Sequence, residues 1–142
     1  LHIPYPANIM DPSFTPVELS FPLPKHPHLN LHAHLSFLRH CAMVHLTTTD
    51  IAESQNSSPP LGSFVYAMPD RSNGPNVIST ALATSVSSID YASRLAKILA
   101  RRLQLPVYVG CSMNFAGTTA EEELEGLTLT IEQILNEWSR KS

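Results

Sequence analysis

The spacing of the apolar residues changes once along this chain, near Ser87, and that change restricts the possible folds more than any other feature of the sequence. Before Ser87, apolar residues occur in short runs with the period of two that is typical of β-strands. After it, Tyr91, Leu95 and Leu99 recur at the spacing of one face of an α-helix. The sequence therefore predicts several strands in series, followed by helical structure.

Four strands are predicted in the first part of the chain. Residues 31–48 form a hairpin that turns at Arg39 and His40, because apolar residues follow a period-two pattern on both sides of this point. Two further strands cover residues 64–68 and 77–82, and the segment 69–75 between them, which contains Pro, Asn and Gly, is a turn. Strands that follow one another in this way pair mainly antiparallel.

Two helices and one more strand complete the prediction. The first helix covers residues 89–104, where Ser87 and Asp90 resemble a capping box, and Pro106 prevents its continuation. Residues 107–113 are apolar on both faces, as expected for a strand in the middle of a sheet. The second helix covers residues 119–140 and begins with glutamates that suit the helix dipole. The predicted class is α+β, with a mainly antiparallel sheet of about five to six strands and two helices packed on one face.

Prolines set the first 30 residues apart from the rest of the chain. Seven of the twelve prolines lie there, and proline lacks a backbone N–H and disfavours helix in the residue before it. We predict a proline-rich extended arm over residues 1–30, and the sequence leaves open whether this arm docks in a groove or is free. Residues 31–142 then form a single α+β domain, with a long polar loop inserted at residues 50–62.

The strands carry more apolar surface than two helices can cover. In the third predicted strand, Phe64 and Tyr66 point to one face and Val65 to the other, so both faces are apolar. A large uncovered apolar face usually marks an interface. We therefore hypothesise that another subunit buries the second face, sheet against sheet, although the sequence does not specify which face that is. The candidate partner-binding residues on the strands are Leu35, Phe37, Met43, Phe64 and Tyr66.

Three basic residues form a stripe on the first predicted helix. Arg94, Lys97 and Arg101 are spaced i, i+3 and i+7 and therefore share one exposed side. Such a stripe is usually only a solvated face. We also consider it as a recognition surface for an acidic partner, since complementary charge sets orientation and association rate.

The composition and the missing motifs argue against several other functions. The formal net charge of −3 is opposite to the basic excess that phosphate binding needs, so no nucleic acid partner is expected. No apolar stretch approaches the roughly 20 residues of a membrane-spanning helix, and no signal peptide opens the chain, so we expect a soluble protein that is not secreted. The chain has no GxxxxGK[ST], GxGxxG or GxSxG motif, so neither a nucleotide enzyme nor a serine hydrolase is expected.

The cysteines and histidines raise an alternative function of a different class, that of a small thiol- or metal-dependent enzyme. Cys41 and Cys111 lack the CxxC spacing of a redox or metal site, and we interpret them as free thiols in a reducing compartment. Four histidines cluster at residues 26–34, but no cysteine or carboxylate completes a metal-ligand set beside them. We therefore predict no metal, cofactor or catalytic residue. Histidine titration could still make partner affinity depend on pH.

Several segments of the chain together resemble the proteasome assembly chaperone 4 family. The segments are HAHLSFLRHCAMVHL, FVYAMPD, VISTALATSVSSIDYASRLAKILARRLQLPVYVGCSMNF and the final IEQILNEW. The most similar positions are Ser79, Thr80 and Leu82, the run ASRLAK at residues 92–97, and Val107, Val109 and Ser112. The resemblance covers about residues 31–138. The proline-rich arm and the loop at residues 50–62 depart from the family pattern, so no role carries over to them.

The resemblance implies a non-enzymatic chaperone subunit that uses no nucleotide or other cofactor. It also implies a heterodimer with the similar proteasome assembly chaperone 3 and a role in assembling α-type subunits into the outer ring of the proteasome core particle. We expect such a protein in the cytoplasm and also in the nucleus. A homodimeric adaptor unrelated to the proteasome would share the uncovered apolar face, so only identification of the partner separates these two hypotheses.

Overall fold

Six strands and two helices make up the computed structural model, which describes residues 15–50, 62–72, 74 and 76–141. The strands are β1 (Val17–Leu23), β2 (His26–Phe37), β3 (Ala42–Asp50), β4 (Ser63–Pro69), β5 (Val77–Ala83) and β6 (Val107–Ser112). The helices are α1 (Ile89–Leu103) and α2 (Ala120–Lys141). Residues 1–14 of the predicted arm and most of the predicted loop at residues 50–62 lie outside the described residues. Across the described ranges, neither helix combines the length and the apolar character that crossing a membrane requires.

The strands form one sheet in the order β1-β2-β3-β6-β4-β5. Neighbouring strands run antiparallel except β3 and β6, which are parallel. β6 lies in the interior of the sheet because the chain returns from the β5 edge through α1. The arrangement confirms the predicted α+β class with its mainly antiparallel sheet, and β6 occupies the interior position that its two apolar faces predict.

The helices cover one face of the sheet, and the hydrophobic core lies between them and the strands. Alternate residues of β2 point to this face, so Leu35 and Phe37 are 0% and 3% exposed. Leu95 and Leu99 form part of the buried side of α1, which packs on β4 and β6. α2 lies over β2, where the Trp138 ring meets Phe37 edge-on with centroids 5.3 Å apart. Burial of each leucine side chain stabilises the fold by about 1.5–3 kcal/mol. These contacts therefore determine which face of the sheet the helices cover.

Part of the predicted arm belongs to the sheet, because β1 and the start of β2 lie within residues 17–30. The two strands pair antiparallel and are joined by a turn at Pro24 and Lys25. Pro22 is tolerated because β1 is an edge strand and its register shifts beside this residue. Pro22 therefore lies in an edge strand, and the prediction that all of residues 1–30 lie outside the folded layer is wrong for residues 17–30.

α1 begins without the capping box that the sequence predicts. Ser88, and not Ser87, is the N-cap, and it makes no capping hydrogen bond. The buried Ser88 hydroxyl instead lies 3.0 Å from the hydroxyl of Ser63, which accepts a hydrogen bond from the backbone N–H of Ser85 at 2.8 Å. The start of the helix is thus fixed by hydrogen bonds to the start of β4, and the predicted pair of Ser87 and Asp90 is wrong.

α2 begins with a capping box made by Thr119 and Glu122. The Glu122 backbone N–H donates to the Thr119 hydroxyl at 3.2 Å, and the Thr119 backbone N–H donates to the Glu122 carboxylate at 2.9 Å. The same carboxylate oxygen lies 2.9 Å from Nε2 of His26, which connects the start of β2 to α2. The backbone hydrogen bond from Thr119 and then the side chain of His26 lower the pKa of Glu122 to about 2.

Replacing Glu122 by Gln should make the fold less sensitive to acid. Because the pKa of Glu122 in the folded state lies below its ordinary value of 4.5, the ionised carboxylate stabilises the fold above about pH 4.5, and this contribution is lost as the pH falls towards 2. Glutamine keeps a capping acceptor but carries no charge. We expect the free energy of unfolding, measured by urea denaturation, to fall less between about pH 6 and pH 3 in the variant than in the wild-type chain.

The matched control is Glu132→Gln, which removes an exposed carboxylate from the same helix. It should keep the acid dependence of the wild-type chain. If the Glu122 variant also keeps that dependence, the stabilising role assigned to its charge is wrong.

Candidate partner-binding surface

The sheet face opposite the helices is here named the open face. In β4, Phe64, Tyr66 and Met68 lie on this face and are half-buried, while Val65 and Ala67 alternate with them and are buried on the helix side. Over the residues that the structure describes, both helices pack on the other side of the sheet. The side chains of the open face partly cover one another, and no second layer of described residues lies over them.

One half of the open face is a contiguous apolar surface, named here the aromatic patch. The strand register places Tyr66 of β4 beside Tyr108 of β6, and Tyr108 beside Met43 of β3. The two tyrosine rings have centroids 4.7 Å apart, and the Phe64 ring stacks on Tyr108 at 5.9 Å. The aromatic patch consists of Met43, Phe64, Tyr66, Met68, Ile78 and Tyr108.

The aromatic patch has the composition of a protein interface. Aromatic residues and methionine are enriched in the cores of interfaces, and charged residues are depleted there. None of the six residues of the patch is charged, and Ile78 on the edge strand β5 is 53% exposed. Clustered aromatic side chains often carry most of the binding energy of an interface. The patch can therefore supply the apolar centre of a contact with another protein.

The other half of the open face is polar and concave, and is named here the histidine depression. It encloses about 590 Å³ over β1, β2, β3 and β6. Its open-face lining residues are Glu18, Ser20, His32, His34, His45, Thr47, Gly110 and Ser112. The depression adjoins the aromatic patch because His45 and Phe64 both flank Gly110 in the strand register.

The three histidines of the depression have different surroundings. The ring nitrogens of His32 lie 3.2 Å from the Ser20 hydroxyl and 2.7 Å from the Thr49 hydroxyl. Nδ1 of His34 lies 3.4 Å from the Glu18 carboxylate. Burial, and then the neighbouring His34, lower the pKa of His45. No cluster of three or more histidine, cysteine or carboxylate side chains in the described part of the chain is placed to hold a metal ion.

The structure separates the five strand residues that the sequence predicts for partner binding. Three of them belong to the aromatic patch, but Leu35 and Phe37 lie in the core under the helices. Their assignment to a partner-binding face is therefore corrected. The sequence does not specify which sheet face the helices cover, and in β2 they cover the face that carries Leu35 and Phe37. The alternate residues of β2, His34 and Ser36, show that its open face is polar.

Three residues of the aromatic patch were missed by the reasoning from sequence. Met68 follows Phe64 and Tyr66 at a period of two, so its position on the same face could have been predicted. Tyr108 alternates with buried valines in β6, which gives the same signal. Ile78 could be placed only through its pairing with Met68 across the sheet, and this register is not readable from the sequence.

The basic stripe lies on a different layer of the molecule. Arg94, Lys97 and Arg101 are exposed on α1, whose opposite side is buried against the sheet. The stripe and the aromatic patch therefore face away from each other and cannot form one site. They could contact two different proteins at the same time.

The two cysteines are free thiols with different exposure. Cys111 lies on the helix side of β6 and is fully buried, and this burial raises its pKa to about 11. The Cys111 thiol is therefore protonated at neutral pH, which makes it a poor nucleophile. Cys41 is half-buried in the turn between β2 and β3.

The middle of the chain, residues 30–113, matches the family model described as proteasome assembly chaperone 4. This segment is more than half of the 142 residues. The chain belongs to the proteasome assembly chaperone 4 family. The matched segment extends from β2 to just after β6, so it contains the whole aromatic patch and α1. The match confirms the resemblance that the sequence segments indicate.

The fold is also similar to that of a solved protein. One chain in the crystal structure of a novel chaperone complex for yeast 20S proteasome assembly has a TM-score of 0.58 and 17% identity with this chain. The similarity covers 89% of this chain and 96% of the yeast-complex chain, and at this identity it shows a shared fold. A comparison with curated proteins found no match.

Substitutions on the two sheet faces should affect stability differently. Leu35→Ala removes a fully buried side chain and should lower the free energy of unfolding by about 2–5 kcal/mol. Tyr66→Ala removes a half-buried ring that packs on Tyr108 and should lower it by only about 1 kcal/mol. Urea denaturation of the isolated chain measures both values. Equal losses would contradict the assignment of Tyr66 to an uncovered face.

Proposed function

We propose that this chain is one subunit of a heterodimeric chaperone that promotes assembly of the α-subunit ring of the proteasome core particle. The observation that carries the proposal is the aromatic patch, because a chain of this family presents three contacting aromatic rings on a sheet face that no described residue covers as a second layer. The proposed partner on this face is a proteasome assembly chaperone 3-like subunit. The proposed client is a proteasome α-type subunit.

Packing of two sheets through their open faces agrees with the chemistry of the surface. Sheets that pack face to face lie about 10 Å apart, and their side chains interdigitate. Phe64, Tyr66 and Tyr108 lie on the interior strands β4 and β6, so their rings would be near the middle of such a contact, where aromatic anchors are most effective. The shared fold with a chain of the yeast chaperone complex also supports a paired arrangement.

The helix layer is the proposed site for the α-type subunit. Sheet-to-sheet pairing leaves α1 and its basic stripe at the outer surface of the complex. Arg94 and Lys97 are exposed there and would complement an acidic surface on the client. Charge complementarity of this kind mainly increases the association rate and fixes the orientation of the partners.

The proposed role is non-enzymatic and is placed in the cytoplasm and nucleus. The protonated, buried Cys111 thiol argues against thiol catalysis at this residue. Two free cysteines agree with a reducing compartment, in which disulfides rarely form. A chaperone subunit needs only surfaces that bind other chains, and the aromatic patch and the basic stripe are surfaces of that kind.

Replacing an aromatic residue of the patch by aspartate should abolish the heterodimer. When the chain is mixed with a purified proteasome assembly chaperone 3 family subunit, size exclusion with light scattering should detect a one-to-one complex. Tyr66→Asp or Phe64→Asp places an unpaired charge at the centre of the contact and should weaken binding at least about 100-fold, equivalent to about 3 kcal/mol.

Leu124→Asp is the matched control, because Leu124 is 58% exposed on α2, on the helix layer. This variant should bind the partner like the wild-type chain. Circular dichroism must show that all three aspartate variants are folded. A patch variant that still forms the heterodimer would contradict the proposed interface. A wild-type chain that forms only a homodimer would favour the unrelated adaptor over the proposed chaperone subunit.

Charge reversal in the basic stripe should slow binding of the client without affecting the heterodimer. Lys97→Glu should reduce the association rate of the assembled heterodimer with a purified α-type subunit by about threefold to tenfold at low salt, and added salt should diminish this difference. Arg71→Glu, an exposed charge reversal in the turn between β4 and β5, is the control and should have little effect. Stopped-flow measurements at two ionic strengths provide both rates. Equal rates for the two variants would rule out the stripe as the client site.

A further inference from the structure

His45 lies at the boundary between the aromatic patch and the histidine depression. Its imidazole ring is nearly parallel to the Phe64 ring, at an interplanar angle of 7° with centroids 6.2 Å apart. The two residues lie on either side of Gly110, which has no side chain to separate them. His45 therefore continues the row of rings formed by Phe64, Tyr108 and Tyr66. Any surface that covers this row also covers the imidazole.

The groups that face His45 provide no negative charge for a protonated imidazole. On β2, its direct neighbour in the strand register is His34, a second imidazole. The carboxylate of Glu18 on β1 lies beyond His34 and contacts Nδ1 of that residue at 3.4 Å. On the other side, β6 contributes Gly110 and β4 contributes the Phe64 ring. Among the described residues, His45 thus lies between a potential positive charge and an apolar ring.

We infer that the partner covers His45 with a neutral, apolar surface, so that heterodimer formation requires the neutral imidazole and releases protons. This inference rests on the proposed function, since it assigns a regulation to the proposed pairing face. An unpaired cation is strongly disfavoured when water is removed from around it. Binding therefore tightens as the pH rises through the weakly acidic range and reaches a plateau near neutrality.

The other two histidines of the depression lie beside polar side chains. The ring of His32 lies between the hydroxyls of Ser20 and Thr49, which can both accept hydrogen bonds. His34 has the Glu18 carboxylate beside it. Among the described residues, His45 has neither a hydroxyl nor a carboxylate partner. We therefore assign the pH dependence of binding to His45.

Burial, the neighbouring His34 and docking of the partner all change the pKa of His45 in the same direction. Burial and then the charge of His34 already lower its pKa in the isolated chain. Docking removes more water and lowers that pKa further. Because the complex favours the neutral form, the affinity is fully present above the pKa of the free chain and is lost as the pH falls through it.

The test is the dissociation constant of the heterodimer as a function of pH. Isothermal titration calorimetry of this chain with a purified proteasome assembly chaperone 3 family subunit at about pH 7.5, 6.5, 5.5 and 5.0 should give a Kd that rises about fivefold over this range. Titrations in two buffers of different ionisation enthalpy should show net proton release in the acidic part of the range. His45→Asn should remove most of both effects. His40→Asn, an exposed change in the turn between β2 and β3, should retain them.

Each outcome leads to a distinct conclusion. A Kd that is independent of pH, or a His45 variant with the wild-type pH profile, would overturn the inference but leave the proposed pairing intact. A Kd that falls with acid would mean that the partner places a carboxylate over His45, which also overturns it. The absence of any complex at pH 7.5 would overturn the proposed function and the inference together. His45→Gln serves as a second variant if the asparagine variant does not fold.

Discussion

A β-strand sends alternate side chains to opposite faces, and in the described part of this protein both helices lie over the same face of the sheet. That face holds Leu35, Phe37 and the other buried residues of the strands, and it is closed by α1 and α2. The opposite face holds the aromatic patch, which is too apolar for a surface that only meets water. The proposed pairing, the position of the client site and the pH dependence all follow from this difference between the two faces.

In the proposed function, the two faces bind different proteins. The open face is suited to a partner whose own sheet can interdigitate with the rings of Phe64, Tyr66 and Tyr108. The helix layer stays outside such a complex and presents the basic stripe. A subunit built in this way can hold its partner and its client on opposite sides, without a nucleotide or a catalytic group. This arrangement agrees with membership of the proteasome assembly chaperone 4 family.

Most of the elements could be predicted from the sequence, because hydrophobic periodicity reports local structure directly. Both helices and strands β4 to β6 begin and end within about two residues of their predicted positions. β1 was missed because the prolines of this stretch predict an extended arm outside the folded layers, unless the chain is known to have an edge strand there. The assignment of Leu35 and Phe37 to the wrong face has a related cause. Alternation shows that two sets of residues face apart, but not which set the helices cover. The position of Ile78 in the aromatic patch depends on strand pairing across the sheet, which periodicity does not encode.

Oxidative footprinting of the heterodimer is the most direct test of the claim that a partner covers the open face. Met43, Met68, Tyr66 and Tyr108 lie in the aromatic patch, while Tyr91 and Trp138 on the helix layer are internal references. We predict that the partner reduces the oxidation rates of the patch residues several-fold and leaves those of the references unchanged. Protection of Tyr91 and Trp138 with an unprotected patch would place the partner on the helices and contradict the proposed pairing through the open face.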